Sequence, residues 1–238
     1  MEIHSNLSAV LKIYFLCKYY ICLSNLLASL FDPGNMSNTT NLFEKSISAL
    51  FNLINGVHPL SEEALAYISK NAQSVQISKS SLLVASGQHC DELFFVVKGV
   101  LCGYVKHHNK NITTWITAEN ELVTSLSSYY KLIPSIENIE AVEDCLLLSI
   151  HRDHMQVMYN RFPEVNYMVR ILLEQYYQDA EERAYISRLT DATAKYQRFI
   201  NTKSHLLNRI PLKFIASFLG MTLETLSRIR SRLSNFKG

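Results

Sequence analysis

The last quarter of the chain limits its fold most sharply. Leu212 to Leu233 reads LKFIASFLGMTLETLSRIRSRL, a helical rhythm of apolar residues interrupted once, at Gly220. Two short helices crossing at about 90–120° need a small residue where their backbones approach, and Ala216 supplies it. The turn between them needs a residue that tolerates positive φ, and Gly220 follows four positions later. Thr222 is placed to cap the second helix. Ile215, Leu219, Met221, Leu226 and Ile229 complete a small shared core, leaving Leu223, Glu224, Ser227, Arg228 and Ser231 facing outward. The spacing predicts a helix-turn-helix. Ala-x3-Gly alone would fit an ordinary amphipathic hairpin equally well.

Charge adds to this pattern. The net charge of +2 is too small to announce a nucleic-acid partner, but it hides an asymmetry. From Lys195 to the end there are nine lysines and arginines against one acid, Glu224. Neutralised phosphates supply most non-specific DNA affinity, so double-stranded DNA is the expected partner of this segment. Arg228 is the candidate for direct base contact, since arginine reads guanine through two hydrogen bonds. Glu224 can accept from a cytosine amino group or orient Arg228 one turn away. Thr222, Thr225 and Ser227 stand near the helix start, where the positive dipole end favours phosphate. Lys213, Arg230 and Arg232 are the remaining phosphate candidates.

The middle of the chain obeys a different period. With 48% apolar and 18% charged residues it is globular. Leu42 to Leu53 and Pro59 to Ile68 carry helical spacing, with Ser61 as cap. From Ser74 the pattern is strand-like, through Val75–Ile77, Leu82–Val84, Leu93–Val97, Val100–Lys106, Ile112–Ile116 and Ile136–Ile150, with turns at Ser86-Gly87, Lys98-Gly99 and the polar tip His107–Asn111. Short strands without intervening helices imply a double-sheet roll or barrel.

The Gly87 turn, the Leu93-Phe94-Phe95-Val96-Val97-Lys98-Gly99 strand and turn, Glu121-Leu122, and the Thr193–Phe199 lead into the last helices resemble the Crp/Fnr regulators. The resemblance spans roughly residues 42–233 and is closest to the branch common in Bacteroidetes-type bacteria. It implies an α+β architecture: a double-stranded β-helix (jelly-roll) sensor barrel, a long dimerisation helix and a C-terminal helix-turn-helix. Members that bind cyclic nucleotide hold the ribose with a Gly-Glu-Leu turn and the phosphate with an Arg-Ser/Thr pair. This chain has Asn120-Glu121-Leu122, and Leu132-Ile133-Pro134-Ser135-Ile136 near the arginine position. A cyclic phosphate taken out of water needs a charged partner, and bidentate arginine is the efficient one. The expectation is therefore a barrel that does not bind cyclic AMP, with Glu121, Leu122, Lys131 and Ser135 as candidate contacts for some other effector. Leu126, Tyr129, Tyr130 and Trp115 are candidates for a pocket wall, or simple core. The family's recognition-helix arginine is matched here by Leu223, which puts its usual DNA target in doubt.

Pro163 suits the first turn of a helix, and no Gly or further Pro follows until after Leu189. Val165, Val169, Leu172, Tyr176, Asp179, Arg183 and Ile186 repeat with alternating 4-3 spacing, the stripe of a two-stranded seam, so a homodimer is expected. The resulting division is a 1–40 extension, a 41–160 sensor, a 161–190 dimerisation helix and a 191–238 DNA-binding segment.

The five cysteines are odd in number and irregular in spacing, which fits reduced, mostly buried thiols and a cytoplasmic protein rather than a disulfide framework. No metal or cofactor is expected: His151 and His154 lack a third ligand. The chain has no nucleophile elbow, Walker loop or HExxH motif, so an enzyme is not expected. Leu7 to Leu30 is apolar and near the roughly 20 residues that span a bilayer, but Lys12 and Lys18 would each cost about 2.5–3.5 kcal/mol at its centre. The expectation is an extension outside the folded body, with FDPGNMSNTTN as linker or natural start at Met36, and no stable membrane association. The resemblance adds a small-molecule effector and RNA polymerase to the partners. The alternative is a small-molecule-binding or protein-interaction module without DNA binding, in one form membrane-tethered.

Overall fold

A computed structural model describes the backbone of residues 33–235 and the side chains of residues 41–233. The chain divides into two units, residues 1–45 and 46–238, and apart from the first helix the account below concerns the second. The Leu7–Leu30 segment lies outside the described residues. Among those described, no helix is long and apolar enough to cross a membrane.

Helix α1, Pro33–Val57, begins earlier than its apolar spacing suggested. Proline suits the first helical position, and Ser, Asn and Thr each cost only about 0.5 kcal/mol and Gly34 about 1 kcal/mol relative to alanine, so residues 33–41 of the expected linker are helical backbone instead. In α2, Glu62–Asn71, Ser61 caps the first turn by accepting from the Ala64 N–H at 3.3 Å, and Ala64 and Ile68 are buried.

Eight strands follow: β1 Gln73–Ile77, β2 Leu82–Val84, β3 Glu92–Lys98, β4 Leu101–His107, β5 Lys110–Thr117, β6 Leu122–Val123, β7 Asn138–Ala141 and β8 Cys145–His151. They form two antiparallel four-stranded sheets, ordered β1-β8-β3-β6 and β2-β7-β4-β5. Phe94, Val96 and Leu147 of one sheet and Leu101, Ile139 and Ala141 of the other are buried in one apolar cluster. This is the double-sheet roll that the alternating pattern implied. Two details differ from the sequence expectation. The apolar series 136–150 is two strands, separated by Val142–Asp144, and a short helix, α3 (Leu126–Lys131), interrupts the strands and ends at Leu132 with φ +57°. On β4, Gly103 has no side chain because the Trp115 ring of β5 lies against it. A Cβ there would come within 2.1 Å of that ring.

The His151 ring caps α4, Arg152–Arg161, by accepting from the Asp153 N–H at 3.2 Å. Pro163 then opens α5, Pro163–Arg188, about 39 Å long at 1.5 Å per residue. Part of the expected seam is buried within the chain itself. Val165, Leu172 and Ile186 are buried within their own chain, and the Tyr176 hydroxyl donates to the Leu122 carbonyl at 3.1 Å. Val169, Tyr176 and Arg183 of the stripe are half-buried and Asp179 is exposed, while Leu173 and Tyr177 are exposed and line the cavity described below.

Asp191 caps α6, Ala192–Lys203, by accepting from the N–H groups of Thr193 and Ala194. A 3-10 turn at Ser204–Leu206 leads to α7, Leu212–Phe218, and α8, Leu223–Asn235. Phe199, Leu206, Ile215, Leu219 and Leu226 are buried in one cluster with Val100, Cys102 and Ile116 of the barrel. Cys90, Cys102 and Cys145 are free and buried. Burial pushes the thiol of Cys102 up to about 12 and that of Cys145 to about 11, so both remain protonated and unreactive at neutral pH.

Candidate nucleic-acid interface and sensor cavity

The turn between α7 and α8 is built as its residues required. Gly220 takes φ +64°. Its N–H donates to the Ser217 carbonyl at 3.1 Å, and the Met221 N–H donates to the Ala216 carbonyl at 3.0 Å. This pair of bonds is the Schellman closure of a helix end. The Lys195 ammonium donates to the carbonyls of Leu219 and Ser187, both at 3.2 Å, tying α6 to the ends of α7 and α5. The Thr222 hydroxyl accepts from the Thr225 N–H at 3.2 Å and so caps α8. Ala216, Ile215, Leu219, Leu226 and Ile229 are buried above Tyr196 and Phe199 of α6, and Met221 is half-buried.

The polar face of α8 is open. Thr222, Glu224, Ser227, Arg228, Ser231 and Arg232 are exposed, while Thr225 and Arg230 are half-buried. Glu224 and Arg228 stand one turn apart, and Arg232 follows one turn later. The Glu224 carboxyl is held below its ordinary range by its own backbone N–H and the Thr222 hydroxyl, with the Arg228 charge assisting, so it is ionised at neutral pH. Among the described residues Arg228 makes no hydrogen bond or ion pair. Lys213 is placed elsewhere. It shares a face of α7 with Ser217, whose hydroxyl accepts from the Thr113 N–H of β5 and donates to the Asn111 carbonyl, both at 2.9 Å.

A second junction with the barrel lies just before α7. Arg209 donates to both oxygens of Glu119, at 2.9 and 2.6 Å, and also bonds Glu143. Glu119 additionally accepts from the Gly99 N–H at 2.8 Å. Burial alone would raise the Glu119 carboxyl, but the Arg209 and Gly99 hydrogen bonds outweigh it and hold the group down to about 2. None of these partners is apparent from the sequence, because Arg209 and Glu119 are 90 positions apart and Ser217 and Thr113 are 104.

The sensor half contains a cavity of about 390 Å³ between β5, β6 and α5. Glu121 and Leu122 line it. Asn120 adopts φ +65°, a conformation asparagine tolerates better than most residues, so the turn survives without glycine. Glu121 takes the Thr117 hydroxyl, and Leu122 is pinned to Tyr176. The other two candidates are not brought to the wall. Lys131 is exposed at the end of α3. Ser135 is buried, its hydroxyl donating to the Glu137 carbonyl at 2.7 Å and meeting the Ser125 hydroxyl at 2.9 Å. Of the proposed wall residues, Leu126, Tyr130 and Trp115 line the cavity, whereas Tyr129 is core. The sequence reading missed Glu137, which accepts from the Trp115 indole N–H at 2.8 Å inside the same cavity. Among the described residues, no three His, Cys, Asp or Glu side chains are grouped to hold a metal.

Residues 74–162 match the family described as the cyclic nucleotide-binding domain. No curated protein matches the sequence. The fold is similar to that of FixK2 from Bradyrhizobium japonicum, at 16% identity and TM-score 0.62 over 70% of this chain and 86% of FixK2. It is similar to a CooA variant from Carboxydothermus hydrogenoformans, at 16% identity and TM-score 0.60 over 79% and 84% of the two chains. It is also similar to a structure from Eubacterium rectale described as a transcriptional regulator of the Crp/Fnr family, at 18% identity and TM-score 0.58 over 74% and 84%. At such identities the likeness is one of fold: a cyclic nucleotide-binding β-sandwich followed by C-terminal helices, as in Crp/Fnr regulators.

Proposed function

Starting from a chain with the Crp/Fnr fold, we propose that it is a dimeric, DNA-binding transcription regulator of the cytoplasm and not an enzyme. The observation that carries this is Arg228, which the Gly220 turn and the Thr222 cap present on an open helix face with no hydrogen-bond or ion-pair partner among the described residues. Thr222, Glu224, Thr225 and Ser227 surround it at the N-terminal half of α8, and Arg230 and Arg232 extend the basic run toward phosphate. Lys213, exposed on α7 with its ammonium over the Phe214 ring, contributes to the local field.

Residues 41–160 form the sensor, 161–190 the dimerisation helix and 191–238 the DNA-binding segment, with 1–40 as an extension. A second copy meets α5 along its exposed side, next to the cavity that Leu173 and Tyr177 help to line. Two reading heads then address half-sites about 34 Å apart. The cavity takes an effector other than cyclic AMP, because Leu132–Ile136 carries no arginine at the position that holds the phosphate in the resembling family. The effector acts by preferring one pose of the reading heads, and RNA polymerase is the downstream partner.

Selection of genomic fragments by the purified dimer, followed by sequencing, tests the proposal. The expected outcome is a pseudo-palindromic site with half-sites one helical turn apart. A folded dimer that retains no specific fragment at moderate salt would instead indicate a ligand- or protein-binding module.

A further inference from the structure

The cavity beside α5 has a chemistry opposed to that of a phosphate site. Its wall pairs Trp115 with Glu137, and Tyr130, Tyr159 and Tyr177 also line it. Trp115 is held in place by the missing side chain of Gly103 behind it. Glu137 is half-buried, and its hydrogen bonds come from neutral donors, the Trp115 indole and the Ser125 hydroxyl. Burial pushes its carboxyl up, and those two bonds only partly offset this. Among the described residues, no Lys, Arg or His lies within ion-pairing distance of Glu137 or Glu121. The two basic wall residues sit toward the C-terminal ends of their helices, Arg183 on α5 and Lys203 on α6. Asp179 lines the same wall one turn before Arg183.

Each class of ligand meets this wall differently. An anionic head at the Glu137 end would face two carboxylates with no cation between them. A neutral head would leave a half-buried carboxylate without a counter-charge, which is costly away from water. A cation satisfies Glu137 directly and lies against aromatic faces, which attract an ammonium through their quadrupoles. Leu122, Leu172 and Leu173 provide an apolar surface for the rest of such a molecule.

We propose that the cavity binds an amphipathic primary ammonium ion, its head at Glu137 beside Trp115 and its apolar body along the α5 wall. The proposal rests on the reading of the barrel as a sensor and names the chemistry that it senses.

Trp115 is the single tryptophan of the chain, so its emission reports on this cavity in the intact protein. The experiment titrates the full chain with 2-phenylethylammonium and hexylammonium, with their N-acetyl amides, with 3-phenylpropionate and with cyclic AMP. Both ammonium ions should give a saturable change in emission, at least about tenfold tighter than their amides. The carboxylate and cyclic AMP should give none. Glu137→Gln should abolish the preference for amine over amide while far-ultraviolet circular dichroism stays unchanged. The proposal is overturned if amide and amine bind alike, if an anion binds better, or if neither ammonium saturates below about 10 mM. A preference that survives Glu137→Gln overturns it too, and the wild-type amine–amide comparison decides the matter should that variant not fold. DNA binding measured on the same preparation separates the two readings. Specific DNA retention without an amine response sinks the ligand assignment alone, and an amine response without DNA binding sinks the regulator reading alone.

Discussion

Arg209 grips Glu119 through both carboxylate oxygens, at 2.9 and 2.6 Å, and so fastens the segment before α7 to the barrel. Arg209→Ala strips a partner from Glu119 and Glu143 together. Charge-assisted hydrogen bonds of this kind contribute about 2 kcal/mol, and loss of that order is expected in urea-induced unfolding. Arg209→Lys should recover only part of it, because a single ammonium cannot reproduce the two-pronged contact. An unchanged unfolding midpoint in both variants would show that the clamp contributes nothing.

Acidification should loosen the same contact. The Glu119 carboxyl titrates at about 2 in the folded chain against an ordinary value of 4.5, so its folded pKa is depressed. Such a group stabilises the fold above its unfolded pKa, and the contribution is lost as pH falls from 4.5 toward 2. Stability plotted against pH should therefore fall less steeply across that window in Glu119→Gln than in the parent chain. Equal slopes would count against the assignment.

On α8, arginines at different positions should fail in different ways. Arg228→Ala should lower affinity for the selected site by about 1–3 kcal/mol and relax discrimination at one base pair. Arg232→Ala should weaken all sequences alike and reduce the salt slope of binding by about 1. Fluorescence anisotropy at several salt concentrations distinguishes these patterns. Unchanged discrimination in Arg228→Ala would remove it from base reading.

Gly220→Ala isolates a backbone effect. A Cβ there would meet only the Lys195 ammonium, at 3.8 Å, so space is available and the cost is conformational. Holding alanine at φ +64° costs about 1–2 kcal/mol. Thermal unfolding should show that loss, and DNA affinity should drop with it. A variant as stable as the parent would show that the turn readjusts freely.

Local features were legible from the residues themselves. Ser61, Asp191 and Thr222 cap helices because short polar side chains satisfy free N–H groups within three residues. Gly220 was readable because only a few residues accept its dihedral. The alternating strands also produced the two sheets, with α3 unforeseen because its six residues are too few to establish a helical period. The 4-3 stripe of α5 marks a face only part of which is buried within the chain, at Val165, Leu172 and Ile186, while Asp179 is exposed, because periodicity alone does not state which surface covers each position. Contacts such as Arg209–Glu119 and Trp115–Glu137 were out of reach, since single charged or aromatic residues carry no signal of what folds back onto them.

Ser217 occupies the outer flank of β5, the last strand in its sheet. An uncovered flank of this kind offers free amide and carbonyl groups to any other extended segment and invites unwanted sheet growth. Should the C-terminal helices swing off the barrel, they would uncover that row, and the molecule would trade mobility for a risk of self-association. Any large reorientation of these helices must then be brief, or be matched by something that shields the strand while they are away.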